Sequence, residues 1–363
     1  MSDSTTNDSA HALVARRADT PVADRAHAPV AVIDIGSNSI KTLVAKYADR
    51  SADPKTSAVT ELFSRSIETR ISAGADWIEG RSRLAPEAIA NALSAIEPLL
   101  ADCAKYAPSQ IALVGTSALR DAANAADFAD LVRTKTGHAI RILSGDEEAA
   151  AIGRGLLCDP ALQSADNAHA QNLYAFDLGG GSLECLAVRA GKVTDAQSLA
   201  LGSVRLMRRF VRNPEAPLAD DEREAIRAHV TEQFARAGFA FDLPSSEKPQ
   251  VIGTGGLWFN VRQMLAAISE VRRTALATEP SPPLAPTYLP RSQIEFVLET
   301  AARLPLAERR RIPGISPGRA DILPTALTTM LTVLDLGHFS GLQHSGYNLR
   351  YGVAAELLAS GSA

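Results

Sequence analysis

The chain has 363 residues, 46% of them apolar and 21% charged, with a formal net charge of −4. That length suits two domains of roughly 100–200 residues each. The near-neutral balance gives no global basis for binding nucleic acid or an anionic membrane, and no stretch approaches about 18 consecutive apolar residues.

Residues 1–29 are rich in Ala, Asp and Arg, aperiodic, and read as a disordered tail. Arg16 and Arg17 resemble part of a twin-arginine signal, but no apolar stretch follows them, so export is not expected. Cys103, Cys158 and Cys185 are isolated, which fits a reducing cytoplasm better than a disulfide framework or a zinc site. From Pro29, PVAVIDIGSNSIKTLVAKYA reads as strand, turn and strand. After a variable loop, the spacing predicts a helix over Pro86–Ala104 with proline near its start. IALVGTSALRDA gives a strand that runs through a turn toward a helix at 124–136. IRILSG gives another strand, and DEEAAAIGRGLL a helix whose acidic first turn suits the helix dipole.

The second half follows the same plan. A hairpin is predicted at 173–188, a strand at 193–200, a helix from 203 and another at 220–237. VIGTGG (251–256) ends a strand that leads into a helix over LWFNVRQMLAAISEVRR. Residues 274–290 are Pro-rich and read as an exposed loop. A helix over 291–303, the basic segment ERRRIPG, a long helix at 318–335 and a closing turn and helix complete the chain.

An internal repeat organises these elements. Without gaps, I33-D-I-G-S-N-S-I-K-T-L-V-A45 aligns with F176-D-L-G-G-G-S-L-E-C-L-A-V188, keeping Asp, Gly, Ser and Leu at the same offsets. The expectation is a duplicated α/β domain, residues 30–146 and then residues 147–338, hinged about an interdomain cleft. Each glycine turn exposes backbone N–H groups that suit phosphate oxygens: Gly36, Ser37, Asn38 and Ser39 in one copy, Gly179, Gly180, Gly181 and Ser182 in the other. Asp34, Asp177 and Glu184 flank the turns as candidate ligands of Mg²⁺ or Mn²⁺ and positioners of water. A dinucleotide fingerprint would lead into a helix, whereas GGGSLE continues as a strand, and no Walker A loop is present.

These motifs are similar to those of the exopolyphosphatase / guanosine pentaphosphate phosphohydrolase family, within the superfold of actin, sugar kinases and the Hsp70 ATPase, a ribonuclease H-like architecture. The resemblance rests on IDIGSNS (33–39), GTSALRDAAN (115–124), ILSGDEEA (142–149), FDLGGGSLE (176–184), GTGG (253–256) and YNLRYG (347–352). It implies a short, two-domain form without the additional C-terminal helical domain of longer members, in which the segment 339–363 returns to the first domain. It also implies Glu148, the second glutamate of S-G-x-E-E-A, as the base that activates water, although any DEE triplet could serve only as an acidic helix start. Arg120 matches the family's arginine after T-x-x-L, placed to neutralise charge on the transferred phosphoryl group; a surface ion pair is its ordinary alternative. Three departures stand out: Leu183 replaces a usual threonine, Leu-Trp-Phe follows GTGG, and YNLRYG stands where G-L-R-E-G is typical.

SVRLMRRFVR places Arg205, Arg208, Arg209 and Arg212 at i, i+3, i+4 and i+7, one helix face that can lead a polyanion toward the turns or simply face solvent. The expected reaction is cytoplasmic, Mg²⁺-dependent removal of terminal orthophosphate from inorganic polyphosphate. Guanosine pentaphosphate as substrate and a non-catalytic polyphosphate or alarmone sensor are the alternatives, with a sugar or acetate kinase weaker still. No nucleic-acid or membrane partner is expected, and a homodimer is compatible with the reading.

Overall fold

The computed structural model describes residues 28–48, 58–73, 76–78, 81–163, 172–243, 249–274 and 287–360. The predicted tail up to residue 27 and residues 275–286 of the Pro-rich loop lie outside them. The first sheet takes β1 (Val30–Ile35), β2 (Ser39–Tyr47) and β3 (Val59–Glu68), and, after a small ribbon of β4 (Asp76–Ile78) and β5 (Arg81–Arg83), β6 (Gln110–Gly115) and β7 (Ile140–Ile142). The second takes β8 (Leu173–Leu178), β9 (Leu183–Arg189), β10 (Lys192–Leu199), β11 (Gln250–Thr254), β12 (Tyr288–Pro290) and β13 (Gly341–Ser345).

Strand order shows the duplication directly. The first sheet runs β3-β2-β1-β6-β7 and the second β10-β9-β8-β11-β13, with β12 added at the edge. In both, each of the first three strands is antiparallel to its neighbour and the next two join parallel to the hairpin's first strand. β3 was not legible as a strand because it is a sheet edge with mostly exposed, mixed residues. The long helix predicted from 318 starts at Leu323, after a single 3₁₀ turn at Pro317–Arg319 and with Pro324 in its first turn.

Both hairpins are buried on two sides, which explains their nearly continuous apolar runs. Side chains alternate across a strand, so Ala31, Ile33 and Ile35 join an outer core with the Pro86–Ala104 helix, while Val30 and Val32 face a central layer. Likewise Tyr174, Phe176 and Leu178 enter the second outer core, and Leu173 and Ala175 the central one. The central layer holds the Gly145–Leu157 helix, packed on β9 and β10, and the Leu349–Ser360 helix, packed on β1 and β2. The return to the first sheet is therefore made by the last helix. β13 belongs to the second sheet, so the chain crosses back after Ser345, later than the boundary at 339 drawn from the sequence.

Candidate active site

The parity that sends Val30 and Val32 to the central layer sends Asp34 there too, one step beyond the apolar residues. Asp177 follows Leu173 and Ala175 in the same way. The strand register sets Lys41 directly opposite Asp34 and Glu184 directly opposite Asp177, at matching places in the repeat. The site is thus the polar end of the central layer, where the two hairpins converge on the start of the Gly145–Leu157 helix.

That helix start separates its two glutamates by role. Glu147 closes a capping box: its backbone N–H donates to Ser144 Oγ (3.1 Å) and its carboxylate accepts from the Ser144 N–H (2.8 Å). It also pairs with Arg141 at the surface (3.0 Å). Glu148 turns inward, is buried, and accepts from Arg120 Nη1 at 2.8 Å. The acidic helix start is therefore real for Glu147, while Glu148 faces the cleft.

One cavity of about 100 Å³ is lined by Asp34, Glu148, Asp177, Glu184, residues 36–39, Gly179, Gly180 and Ser182. Of the predicted phosphate-binding turns only Gly181 is missing from this wall; it lines a neighbouring cavity of about 390 Å³ that shares Ser37, Ser117 and Gly180 with the first. The interleaving is tight: a Cβ on Gly180 would lie 2.8 Å from Ser37 Cβ, and one on Gly181 2.9 Å from Ser37 Oγ. Arg120 stands behind Glu148 and donates also to the Leu143 carbonyl at 3.0 Å, so it orients that carboxylate rather than walling the cavity.

Burial dominates the electrostatics. It pushes Glu148 up to about 7, against the pull of Arg120, with the charges of Asp34 and Asp177 adding to the rise. It pushes Asp177 up to about 6, with Lys41 pulling down. Asp34 is raised by burial against Lys41 and Arg350, and Glu184 well raised by burial and by the Glu148 and Asp177 charges. Lys41 is brought down to about 8 by burial and by Arg319. Acids held toward their neutral forms are what such a pocket produces without a cation; a divalent ion would return them to carboxylates.

The donor set suits such an ion. Asp34 Oδ1 and Asn38 Oδ1 are buried without a hydrogen-bond partner among the described residues, and carboxylate and amide oxygens are the ligands Mg²⁺ prefers. Among the described residues no three His, Cys, Asp or Glu side chains converge closely enough to hold an ion alone. Asp34 and Asp177 would share it with water and phosphate oxygens, the usual habit of Mg²⁺.

The arginine helix is shorter than its pattern. It spans Ser203–Phe210, so Arg212 lies beyond its end, paired with Asp221 (2.6 Å) and Glu222 (3.1 Å). Arg205 donates from Nε to the Gly181 carbonyl (2.8 Å) and pairs with Asp121, tying the glycine turn to the first sheet's side of the cleft. Arg208 and Arg209 line the larger cavity. Arg208 has no acidic partner among the described residues, and its guanidinium is held below its usual range by burial and by Arg70.

Three residues escaped the sequence reading. Arg319 reaches the cavity from the second sheet's side and donates to Ser39 Oγ at 3.3 Å. Gly256 leaves room for it, since a Cβ there would overlap its guanidinium. Arg350 donates to the Thr42 carbonyl (2.8 Å) near Asp34. Lys41 had a signal, its place opposite Asp34 in the repeat; Arg319, in an irregular PGR turn, had none.

The profile of the Ppx/GppA phosphatase family matches residues 43–360. The chain belongs to that family. Curated relatives from Vibrio vulnificus and Vibrio parahaemolyticus, named guanosine-5'-triphosphate,3'-diphosphate pyrophosphatase, are each 25% identical, over 329 and 336 residues. The alignments cover 91% and 90% of this chain but 59% of each relative's length. A crystal structure of an exopolyphosphatase from Cytophaga hutchinsonii superposes with a TM-score of 0.74 at 21% identity, covering 92% of this chain and 98% of that one. The Ppx/GppA family member from Aquifex aeolicus gives 0.66 at 19%, with the same coverage. These two show the fold.

Two departures from the Ppx/GppA motifs are absorbed by packing. Leu183 faces the second outer core, completely buried, so the threonine it replaces takes no hydroxyl from the cleft. Trp258 fills the same core, where a Cβ on Gly253 would overlap its ring Nε1 and lie 2.7 Å from its Cε2. In YNLRYG, Tyr351 stands at the usual glutamate and donates to Glu61 of β3 at 2.8 Å, away from the cleft.

Proposed function

We propose that the chain hydrolyses the terminal phosphoanhydride bond of inorganic polyphosphate and releases orthophosphate, in the cytoplasm, with Mg²⁺ or Mn²⁺. The observation that carries this is Glu148: a buried carboxylate held near neutrality at the meeting of two anion-binding turns and three further acids. The turns and Arg319 hold the terminal phosphoryl group, and Asp34, Asp177 and Glu184 orient water around it. Asp34 and Asp177 would hold the divalent cation, which would supply charge neutralisation. Glu148 takes a proton from water as the water oxygen bonds to phosphorus and the bridging P–O bond breaks. The shortened chain leaves with the bridging oxygen and its negative charge.

In the cation-free pocket Glu148 sits near 7, and a divalent cation would lower it, so the acid limb of the kcat/KM profile should move to lower pH as Mg²⁺ is raised. The active form is deprotonated, so kcat/KM should rise about tenfold per unit below that limb and level off above it. The same limb in Glu148→Gln would remove Glu148 from the role.

The larger cavity with Arg208 and Arg209 supports a substrate with more phosphates than the reacting one. Arg208→Gln should raise KM for long polyphosphate about tenfold, worth about 1.4 kcal/mol, with kcat little changed; unchanged KM would free the helix from substrate binding. A guanosine pentaphosphate substrate is the second reading, favoured by the curated relatives' names. A further opening past Lys41, Arg319 and Arg350, with Phe259 half exposed on its rim, has room for a nucleoside. Phosphate release from both substrates side by side, with Mg²⁺, decides between them. Release from neither, with binding intact, would leave a sensor.

A further inference from the structure

The register of the second sheet lines up four polar side chains in one row: Ser198 on β10, Glu184 on β9, Asp177 on β8 and Thr254 on β11. Ser198 is the member that lies outside both the cavity wall and every motif used above. Its hydroxyl donates to Glu184 Oε1 at 2.7 Å and accepts from Arg120 Nη2 at 3.5 Å. Arg120 meanwhile holds Glu148 Oε2 through Nη1. The two buried glutamates, one on a strand and one on a helix, are thereby joined through one hydroxyl and one guanidinium.

Gly145 makes the approach possible. A Cβ on Gly145 would lie 2.8 Å from Ser198 Cβ and 3.4 Å from its Oγ. Its φ is not in the left-handed region, so the backbone does not call for glycine there; space does. The glycine of the S-G-x-E-E-A motif thus admits β10 to the helix start, two elements distant in sequence.

We propose that Ser198, admitted by Gly145, is a positioning residue of the phosphohydrolase reaction, fixing the Glu184 carboxylate and, through Arg120, its placement relative to Glu148. It rests on the reaction proposed above. It touches no substrate; it acts through Glu184.

The test is steady-state kinetics of phosphate release from polyphosphate for Ser198→Ala, Gly145→Ala and the double variant, beside thermal unfolding of each. Ser198→Ala should lower kcat about tenfold or more, the usual scale for a partner that orients a site ligand, with KM within about twofold and an unchanged unfolding midpoint. Gly145→Ala keeps every polar group and should give the same split by displacing the hydroxyl. Because both act on one contact, the double variant should be no slower than the slower single. Wild-type kcat in Ser198→Ala, a loss confined to KM, or fully additive losses would overturn the proposal while the reaction stands. Ser198→Ala decides alone if Gly145→Ala does not fold. An inactive wild type, seen in the same assay before any variant is compared, would overturn the reaction and the proposal together.

Discussion

Glu148→Gln should lower phosphate release by about 10²- to 10⁴-fold, the contribution of a positioned general base, and yet unfold at a higher temperature than the wild type above pH 8 in EDTA. The first half follows from removing the only buried carboxylate at the helix start. The second follows from linkage. Burial raises the Glu148 pKa from 4.5 to about 7 in the folded state, with Arg120 opposing. Between those values the folded protein binds the proton and the unfolded chain does not, so stability falls as pH rises through the window. Above it the buried charge costs about 3 kcal/mol, at 1.36 kcal/mol per unit. Glutamine cannot ionise and still offers an oxygen to Arg120 Nη1. Unfolding midpoints at pH 5 and pH 8.5 check this: the gap between variant and wild type should open only at the higher pH. A variant that loses activity and stability equally at both pH values would make Glu148 a structural acid.

How much of this could be read from the residues depends on what kind of information each position carries. The hairpins were legible because burial on both sides forces apolar runs, and the glycine turns interrupt them at matching offsets. Asp34 and Asp177 followed from that repeat, and Glu184 from its place across the turn from Asp177, since a two-residue period carries each onto the cleft side. β3 was invisible because an edge strand needs no alternation. Arg212 was misjudged because helical spacing says nothing about where a helix stops, and Asp221 and Glu222, which neutralise it, belong to the next helix. Arg319 and Ser198 show a different limit. One comes from an irregular turn some 280 residues from the serine it meets, the other from a strand with no motif. Only the closing of two sheets around a shared central layer brings them to the site.

The same central layer predicts the largest loss of stability. Gly352→Ala should destabilise the protein by about 3 kcal/mol or more, at or beyond the upper end of ordinary overpacking, measured by denaturant unfolding. The Gly145–Leu157 and Leu349–Ser360 helices cross with their backbones in contact. A Cβ on Gly352 would overlap the Ala151 carbonyl oxygen, with Ala151 C 2.6 Å and Gly155 N 3.0 Å away; one on Gly155 would overlap the Asn348 carbonyl, with its carbon at 2.9 Å. Backbone cannot swing aside as a side chain can, so the helices must separate. Ala151 lies one turn beyond Glu148, and Asn348 and Leu349 line the cavity. Separation therefore moves Glu148 relative to Asp34, and activity should fall even where the variant remains folded. Gly346→Ala is the control from the same segment: nothing lies within 4 Å of its Cβ and its φ is not positive. It should stay within about 0.5 kcal/mol of wild type. A Gly352→Ala protein as stable and active as Gly346→Ala would mean that the helices do not meet backbone to backbone. The route by which the last helix holds Glu148 against the first hairpin would then be wrong.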